Sequence, residues 1–230
     1  MPASAAVRWE DGVMSVLHTF RQVWQGSRAR SYHALDLPDR LTPPPGHGDF
    51  LLRPIREGDQ AAWNAVRWRN RDWLAPWESG DPRHGPGMTY AQWMQELERS
   101  RQEGTSAVFL MEFHQSIVGQ ISLGAIRYGS MCTAVAGYWV DQDWIGHGFA
   151  PLALAMLANW AFRDRKGPHL HRLEVAILPE NQRSLRVVQK LGMEPEGLRH
   201  SYMYVNGQWR DHLTFAWISD RFDPDLLARL

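Results

Sequence analysis

The chain has 230 residues, 44% hydrophobic and 22% charged, the make-up of a globular protein with apolar surface enough for a sizeable core. Lysine plus arginine (25) cancels aspartate plus glutamate (25), so no global field draws in nucleic acid or anionic membrane, and neither is expected as a partner. A single cysteine, Cys132, excludes an intramolecular disulfide and reads as a bystander in a reducing, cytoplasmic setting. The odd count is tryptophan: 12, against 8 phenylalanines and 6 tyrosines, with Trp63, Trp68, Trp73, Trp77 and Trp93 all falling between Gln60 and Ser100.

No apolar run approaches the roughly 18 residues of a membrane span, and the N-terminus lacks the pattern of a secretion signal. Val13, Val16, Leu17, Phe20, Val23 and Trp24 recur at helical spacing and predict one amphipathic helix ending near Gly26. Leu41-Thr-Pro-Pro-Pro-Gly-His-Gly48 reads as a stiff linker without regular pairing. Residues 1–48 are therefore expected as an appendage anchored by Trp9 and Trp24, residues 49–222 as the main domain, and 223–230 as a tail. Met14 is a second candidate start.

From Asp49 the pattern alternates. Phe50–Ile55 predicts a strand, and Asp59 is the expected N-cap of a helix over Gln60–Trp73 whose Trp63, Val66, Arg67 and Asn70 share a face. Arg67-Trp-Arg-Asn-Arg71 interleaves cations with an aromatic, but Arg67 and Arg71 fall four apart, so a solvated or substrate-facing stripe is expected rather than a nucleic-acid site. Thr89-Tyr-Ala-Gln92 is a capping box opening a helix that Gly104 closes. Ser106–Phe113 and Ile117–Ile126 read as a hairpin, Thr133–Val140 as a strand, and Gly148–Arg163 as an apolar helix that tolerates Pro151 in its first turn. His171–Leu178 is a strand, Asn181–Leu191 a helix ended by Gly192, and Leu213–Ile218 a last strand. This order indicates one mixed α/β domain with its largest helices on a sheet.

The sharpest motif is Gly137-Tyr-Trp-Val140-Asp-Gln-Asp-Trp144-Ile-Gly146-His-Gly148-Phe-Ala150, a strand, a two-glycine loop and an apolar helix. Such a helix start presents unpaired N–H groups and its positive dipole end, a natural seat for pyrophosphate, although an ordinary strand-to-helix turn has the same outline. A P-loop is excluded because its lysine and hydroxyl are missing. A dinucleotide fingerprint is excluded because position 151 is proline and five residues separate Val140 from Gly146. The ten histidines show no H-x-x-x-H or H-E-x-x-H spacing, so no metal is expected.

A second run is His171-Arg-Leu-Glu174, then Pro179-Glu-Asn181-Gln-Arg-Ser184, then Lys190-Leu-Gly-Met193. With Gly137-Tyr-Trp-Val140 and Trp144-Ile-Gly-His-Gly-Phe-Ala150, it resembles the GNAT superfamily of acetyl-CoA-dependent N-acyltransferases, specifically the ribosomal-protein-alanine N-acetyltransferase (RimJ and RimL) group. Leu74-Ala-Pro-Trp-Glu78 and Asn206-Gly-Gln-Trp-Arg-Asp-His212 favour RimJ-like members. The resemblance spans about residues 50–220. It implies a central mixed, mostly antiparallel sheet flanked by helices; residues 1–48, expected from their spacing as an N-terminal helical extension, lie outside it.

By that resemblance, acetyl-CoA is the acyl donor, its pyrophosphate held by backbone groups of Gly146, His147, Gly148, Phe149 and Ala150. Trp139 and Val140 offer backbone to the pantetheine arm, with N–H groups at this strand end stabilising the oxyanion, and Asn181 hydrogen-bonds the arm. Ser184 is the proton donor to the leaving thiolate, with helix capping alone as the alternative. Glu174 is either a general base, directly or through water, or a structural carboxylate paired with Arg172 or His171. One departure stands out: where the family places Gln or Arg, three residues before the first glycine, this chain has Asp143.

A free lysine (pKa about 10.4) is deprotonated only about once in a few thousand at pH 7, an α-amine about once in ten, so an α-amine asks little of a base. The expected acceptor is a protein N-terminus such as that of a ribosomal protein. A small amine (antibiotic, polyamine, amino acid), a lysine, and a non-catalytic CoA-binding domain remain alternatives, and a homodimer is left open. Trp77 is expected as an aromatic wall on the acceptor side and Glu78 as the attractor of a cationic amine, against the alternative that the clustered tryptophans simply pack helices on a sheet.

Overall fold

The computed structural model describes residues 34–83 and 87–230, and the expected helix near residues 13–24, with Trp9 and Trp24, lies outside them. Strand β1 (Leu51–Pro54) stops at a proline, which has no N–H to extend a ladder. Helix α1 (Gln60–Arg69) buries Trp63, Val66 and Arg67 on one face as the spacing predicts. It ends earlier than expected, because Asn70 leaves the helical region at φ −98°, ψ 4° and a separate helical turn covers Arg71–Leu74. Nor does Asp59 cap it. The Asp59 carboxylate instead accepts from the Arg56 N–H at 2.7 Å and bidentately from Arg53 at 2.8 Å, charge-assisted bonds that outcompete a neutral cap.

Helix α2 (Tyr90–Gln102) opens with the predicted reciprocal box: Gln92 N–H donates to Thr89 Oγ1 at 3.2 Å, and Thr89 N–H to Gln92 Oε1 at 2.8 Å. Strands β2 (Ala107–Phe113) and β3 (Ser116–Arg127) meet through His114 and Gln115, at φ 48° and 61°, the double left-handed geometry that matches strand twist in a two-residue hairpin. Strand β4 (Thr133–Val140), helix α3 (Phe149–Arg163), strand β5 (Arg172–Ile177) and helix α4 (Gln182–Lys190) follow close to expectation.

Strand β6 (Glu194–Val205) is not in the sequence expectation, and β7 (Gln208–Ile218) begins well before Leu213. β6 is an edge strand, mostly exposed and twice irregular in register, so it carries no apolar alternation. The local signal for it is Asn206-Gly207, at φ 47° and 81°, a two-residue hairpin turn.

Among the described residues, these strands form one seven-stranded sheet in the order β1-β2-β3-β4-β5-β7-β6. Every neighbouring pair is antiparallel except β4 with β5. Alternation along β2 assigns the two faces. Ala107, Phe109 and Met111 pack into the larger core with α3, while Val108 and Leu110 pack with Trp63, Val66, Tyr90 and Trp93 of α1 and α2. Helix α3 lies in the larger core with Trp160, Leu154 and Leu157 almost fully buried, each contributing about 1.5–3 kcal/mol.

Both ends of the described chain pack onto the sheet domain. Leu41, the first residue of the expected linker, exchanges backbone bonds of 2.7 and 2.9 Å with Leu52. Leu35 is buried in the larger core, and its carbonyl and N–H both bond Arg101. In the expected tail, residues 223–230, Leu226, Leu227 and Leu230 pack against the same core, beyond a buried Phe222 that meets Phe162 and Trp217. In both cases apolar residues find an uncovered core edge that the linear pattern does not display.

Candidate functional site

Strands β4 and β5 pair over three residues only, Thr133↔Arg172, Ala134↔Leu173 and Val135↔Glu174. Beyond that β4 stays with β3 as far as Val140↔Gly119, and β5 stays with β7 as far as Ile177↔Leu213, so the sheet opens between them. Two cavities sit at this opening, a cleft of about 470 Å³ and a smaller one of about 120 Å³. Trp77, Tyr138, Asn181 and Ser184 line both.

The larger cleft runs over the glycine loop. Gly146 and Gly148 have φ +86° and +78°, and a Cβ on either would meet nothing within 4 Å, so this backbone faces open space. Gly148 occupies the N-cap of α3 without a side-chain cap, leaving the first N–H groups of a fifteen-residue helix to a ligand. Arg183, Arg186 and Lys190 of α4 line the same cleft and add positive charge. Trp139, Val140, Phe149 and Ala150 also line it. The His147 side chain does not: Nδ1 lies 3.2 Å from the Trp144 carbonyl and the ring stacks near Phe149. Asp143 stands clear too, with its exposed carboxylate 3.8 Å from Arg69.

Ser184 sits in the first turn of α4, where its backbone N–H donates to Asn181 Oδ1 at 3.2 Å. The cap therefore uses the Ser184 backbone and leaves its hydroxyl at the junction of the cavities. Beside it the Tyr138 phenol is pushed up to about 12 by burial, offset in part by the neighbouring Ser184 hydroxyl. That contact falls short of hydrogen-bond geometry, and Tyr138 Oη has no partner among the described residues.

At the smaller cavity, residues 78–80 dock on β6: Gly80 N–H donates to the Tyr204 carbonyl at 2.8 Å, and Ser79 bridges Val205. This holds Trp77 against both cavities. Glu78 lines the larger cleft, but its carboxylate is already bonded by the buried Arg67, whose guanidinium lies 5.1 Å over the Trp139 ring. Its charge is compensated inside the protein, which weakens the expected attraction for a cationic amine. Glu174 is brought to neither cavity. It is buried at the paired end of β4 and β5 and accepts from Arg172 at 3.0 Å and Arg199 at 2.7 Å.

The family model described as an acetyltransferase (GNAT) domain matches residues 49–194. The chain belongs to the GNAT acetyltransferases. It is 31% identical to Mycobacterium smegmatis RimJ, solved in complex with CoA-disulfide, with a TM-score of 0.74 over 86% of this chain and 96% of that one. The Escherichia coli [ribosomal protein uS5]-alanine N-acetyltransferase is 28% identical over 72% of this chain and 87% of its own. The probable N-acetyltransferase YjcK of Bacillus subtilis is 35% identical over 44% of this chain, which spans 54% of YjcK's length.

A GNAT enzyme draws its acyl group from acetyl-CoA, and the residues present fit that donor: left-handed glycines facing open space, an uncapped helix start and three cations on one cleft wall. Among the described residues no group of three or more His, Cys, Asp or Glu is placed to hold a metal, and no helix is long and apolar enough to cross a membrane. Three residues around this GNAT site have places that the sequence did not indicate. Asn70 and Asp141 are buried polar partners that brace the glycine loop, and His212 lines the smaller cavity. His212 stands in the Asn206–His212 motif, and its place on an inward-facing strand position was the available signal.

Proposed function

We propose that this chain transfers the acetyl group of acetyl-CoA to the N-terminal α-amine of a protein, by direct attack in a ternary complex. The observation that carries the reading is the meeting of the two cavities at Ser184: one has the anion-binding features of a CoA site, and the other approaches the same hydroxyl from the β6–β7 side. The E. coli relative acts by name on a ribosomal-protein alanine, and that supports an α-amine acceptor here.

Acetyl-CoA supplies the acyl group as a thioester. Backbone N–H groups at Gly146–Ala150 and the start of α3 bind the pyrophosphate, while Trp139, Val140 and Asn181 hold the pantetheine arm along the opened edge of β4. Those β4 N–H groups that β3 does not use stabilise negative charge developing on the carbonyl oxygen. Ser184 Oγ protonates the departing thiolate. Trp77 forms the wall between donor and acceptor.

A thermal shift with acetyl-CoA tests the donor: at a hundred times Kd, mass action stabilises the protein by about 2.7 kcal/mol. Peptides with free N-termini, N-terminally blocked peptides carrying lysine, and small amines then compete, read by released CoA and a mass gain of one acetyl group. Acetylation of lysine or small amines with free N-termini left untouched would overturn the acceptor assignment.

A further inference from the structure

The smaller cavity holds an ionisable group without a role in the scheme above. His212, on β7, is almost fully buried and lines this cavity together with Ser184 and Asn181. Its Nδ1 lies 3.0 Å from the Arg210 carbonyl, an acceptor only, so in the neutral ring Nδ1 carries the hydrogen and Nε2 keeps its lone pair. The surrounding carboxylates are engaged elsewhere: Glu180 is bonded by Arg210, Asp211 by His200 and the Ser201 N–H, and Glu174 by Arg172 and Arg199.

We propose that His212 Nε2 is the general base of the acyl transfer, accepting the proton that the acceptor amine loses as its nitrogen attacks. The inference rests on the amine-acetylation reading above. In the step, the amine nitrogen bonds the thioester carbonyl carbon and the C–S bond breaks. The amine proton passes to His212 Nε2, the thiolate takes a proton from Ser184 Oγ, and the imidazolium returns its proton through solvent to the serine, so one proton is transferred overall from amine to thiol.

Charge around the ring suits a neutral acceptor. Burial pulls the His212 pKa below its ordinary 6.5, and Arg210 acts in the same direction, while Glu180, Asp211 and the bond to the Arg210 carbonyl oppose it. From β6, Tyr202 meets the ring edge-on at 5.9 Å, and Arg199, the register partner of His212, is held by Glu174 and Tyr202. The ring is therefore unprotonated at pH 7 and ready to accept.

His212→Asn keeps an N–H at the δ position for the Arg210 carbonyl and removes Nε2. At pH 7 its kcat should fall about 10²- to 10⁴-fold with the acetyl-CoA thermal shift preserved. In the wild type, kcat at saturating amine should decline as pH drops through a value below 6.5, and the variant should lack that acid limb. A variant with wild-type kcat, or a wild type without the limb, overturns the base assignment while leaving acetylation intact. Should His212→Asn lose the acetyl-CoA shift, the wild-type profile decides. Wild-type protein that binds acetyl-CoA and turns over no amine sinks the transfer reading itself.

Discussion

Asn70 and Asp141 meet in the interior: the Asn70 amide donates to Asp141 Oδ1 at 2.7 Å and to the Val66 carbonyl at 2.9 Å, while its oxygen accepts from the Gln142 N–H at 2.9 Å. Arg69 closes the Asp141 carboxylate from the other side. The end of α1 is thereby clamped to the segment that leads from β4 into the glycine loop. Asn70→Ala leaves a buried carboxylate oxygen and a backbone N–H short of partners, a loss of about 1–3 kcal/mol. Acetyl-CoA affinity should weaken as well, because the loop loses its brace. An unchanged acetyl-CoA titration in a destabilised variant would show that the clamp serves the fold alone.

Acid stability should depend on the same carboxylate. Burial by itself would raise the Asp141 pKa, but bonds from Arg69, Asn70 and the Asp143 N–H outweigh it and hold it below 3.8. Burial would likewise raise Asp59, but Arg53 and the Arg56 N–H outweigh it and hold it below its ordinary value. A carboxylate depressed in the folded state stabilises fully above its unfolded pKa, about 3.9, and that contribution is lost as pH falls through the folded value. Urea unfolding across this window should show stability falling below about pH 4, with a shallower fall in Asp141→Asn. Equal slopes for the two proteins would remove Asp141 from the account.

The two roles open to Ser184 separate by substitution. Its backbone N–H, not its hydroxyl, takes the Asn181 cap, so Ser184→Ala should leave the melting temperature nearly unchanged and lower kcat. Asn181→Ala should instead destabilise α4 by about 1 kcal/mol and also weaken acetyl-CoA binding. Retention of full kcat by Ser184→Ala would assign thiolate protonation to another donor.

Gly148→Ala probes the phosphate cradle in isolation. At φ +78° an L-residue carries a backbone cost of about 1–2 kcal/mol, yet its Cβ would meet nothing within 4 Å. The expected result is a modest stability loss and a larger loss of acetyl-CoA affinity, measured by calorimetric titration. If affinity drops no more than stability, the loop is not the pyrophosphate seat.

Much of this was legible in the sequence because local chemistry decided it. The Thr89–Gln92 box and the β4 limits both follow from residues within a few positions of each other. What stayed hidden depends on distant partners. Asp59 gave up its cap to Arg53, Glu174 was taken by two arginines, and β6 forms because β7 supplies its ladder rather than because its own side chains alternate. The motifs mark the cleft over the glycine loop, but the smaller cavity is assembled from β4, β5, α4 and the β6–β7 hairpin, and no single stretch announces it.

The tryptophan excess divides along that line. Trp63 and Trp93 pack with Tyr90 in the core beneath α1 and α2, ring centroids 4.7–5.9 Å apart, with Trp63 Nε1 bonded to the buried Gln120 at 2.9 Å. Trp73 and Trp77 line the cleft, and Trp68 is largely exposed. Trp63→Ala should therefore cost about 3–5 kcal/mol, from lost burial and the cavity left behind. Trp77→Ala removes a half-buried wall, so stability should change far less while the acceptor KM rises. Because Trp77 faces both cavities, acetyl-CoA affinity needs a parallel measurement. A Trp77→Ala protein with an unaltered acceptor KM would return this tryptophan to a packing role beside Trp63.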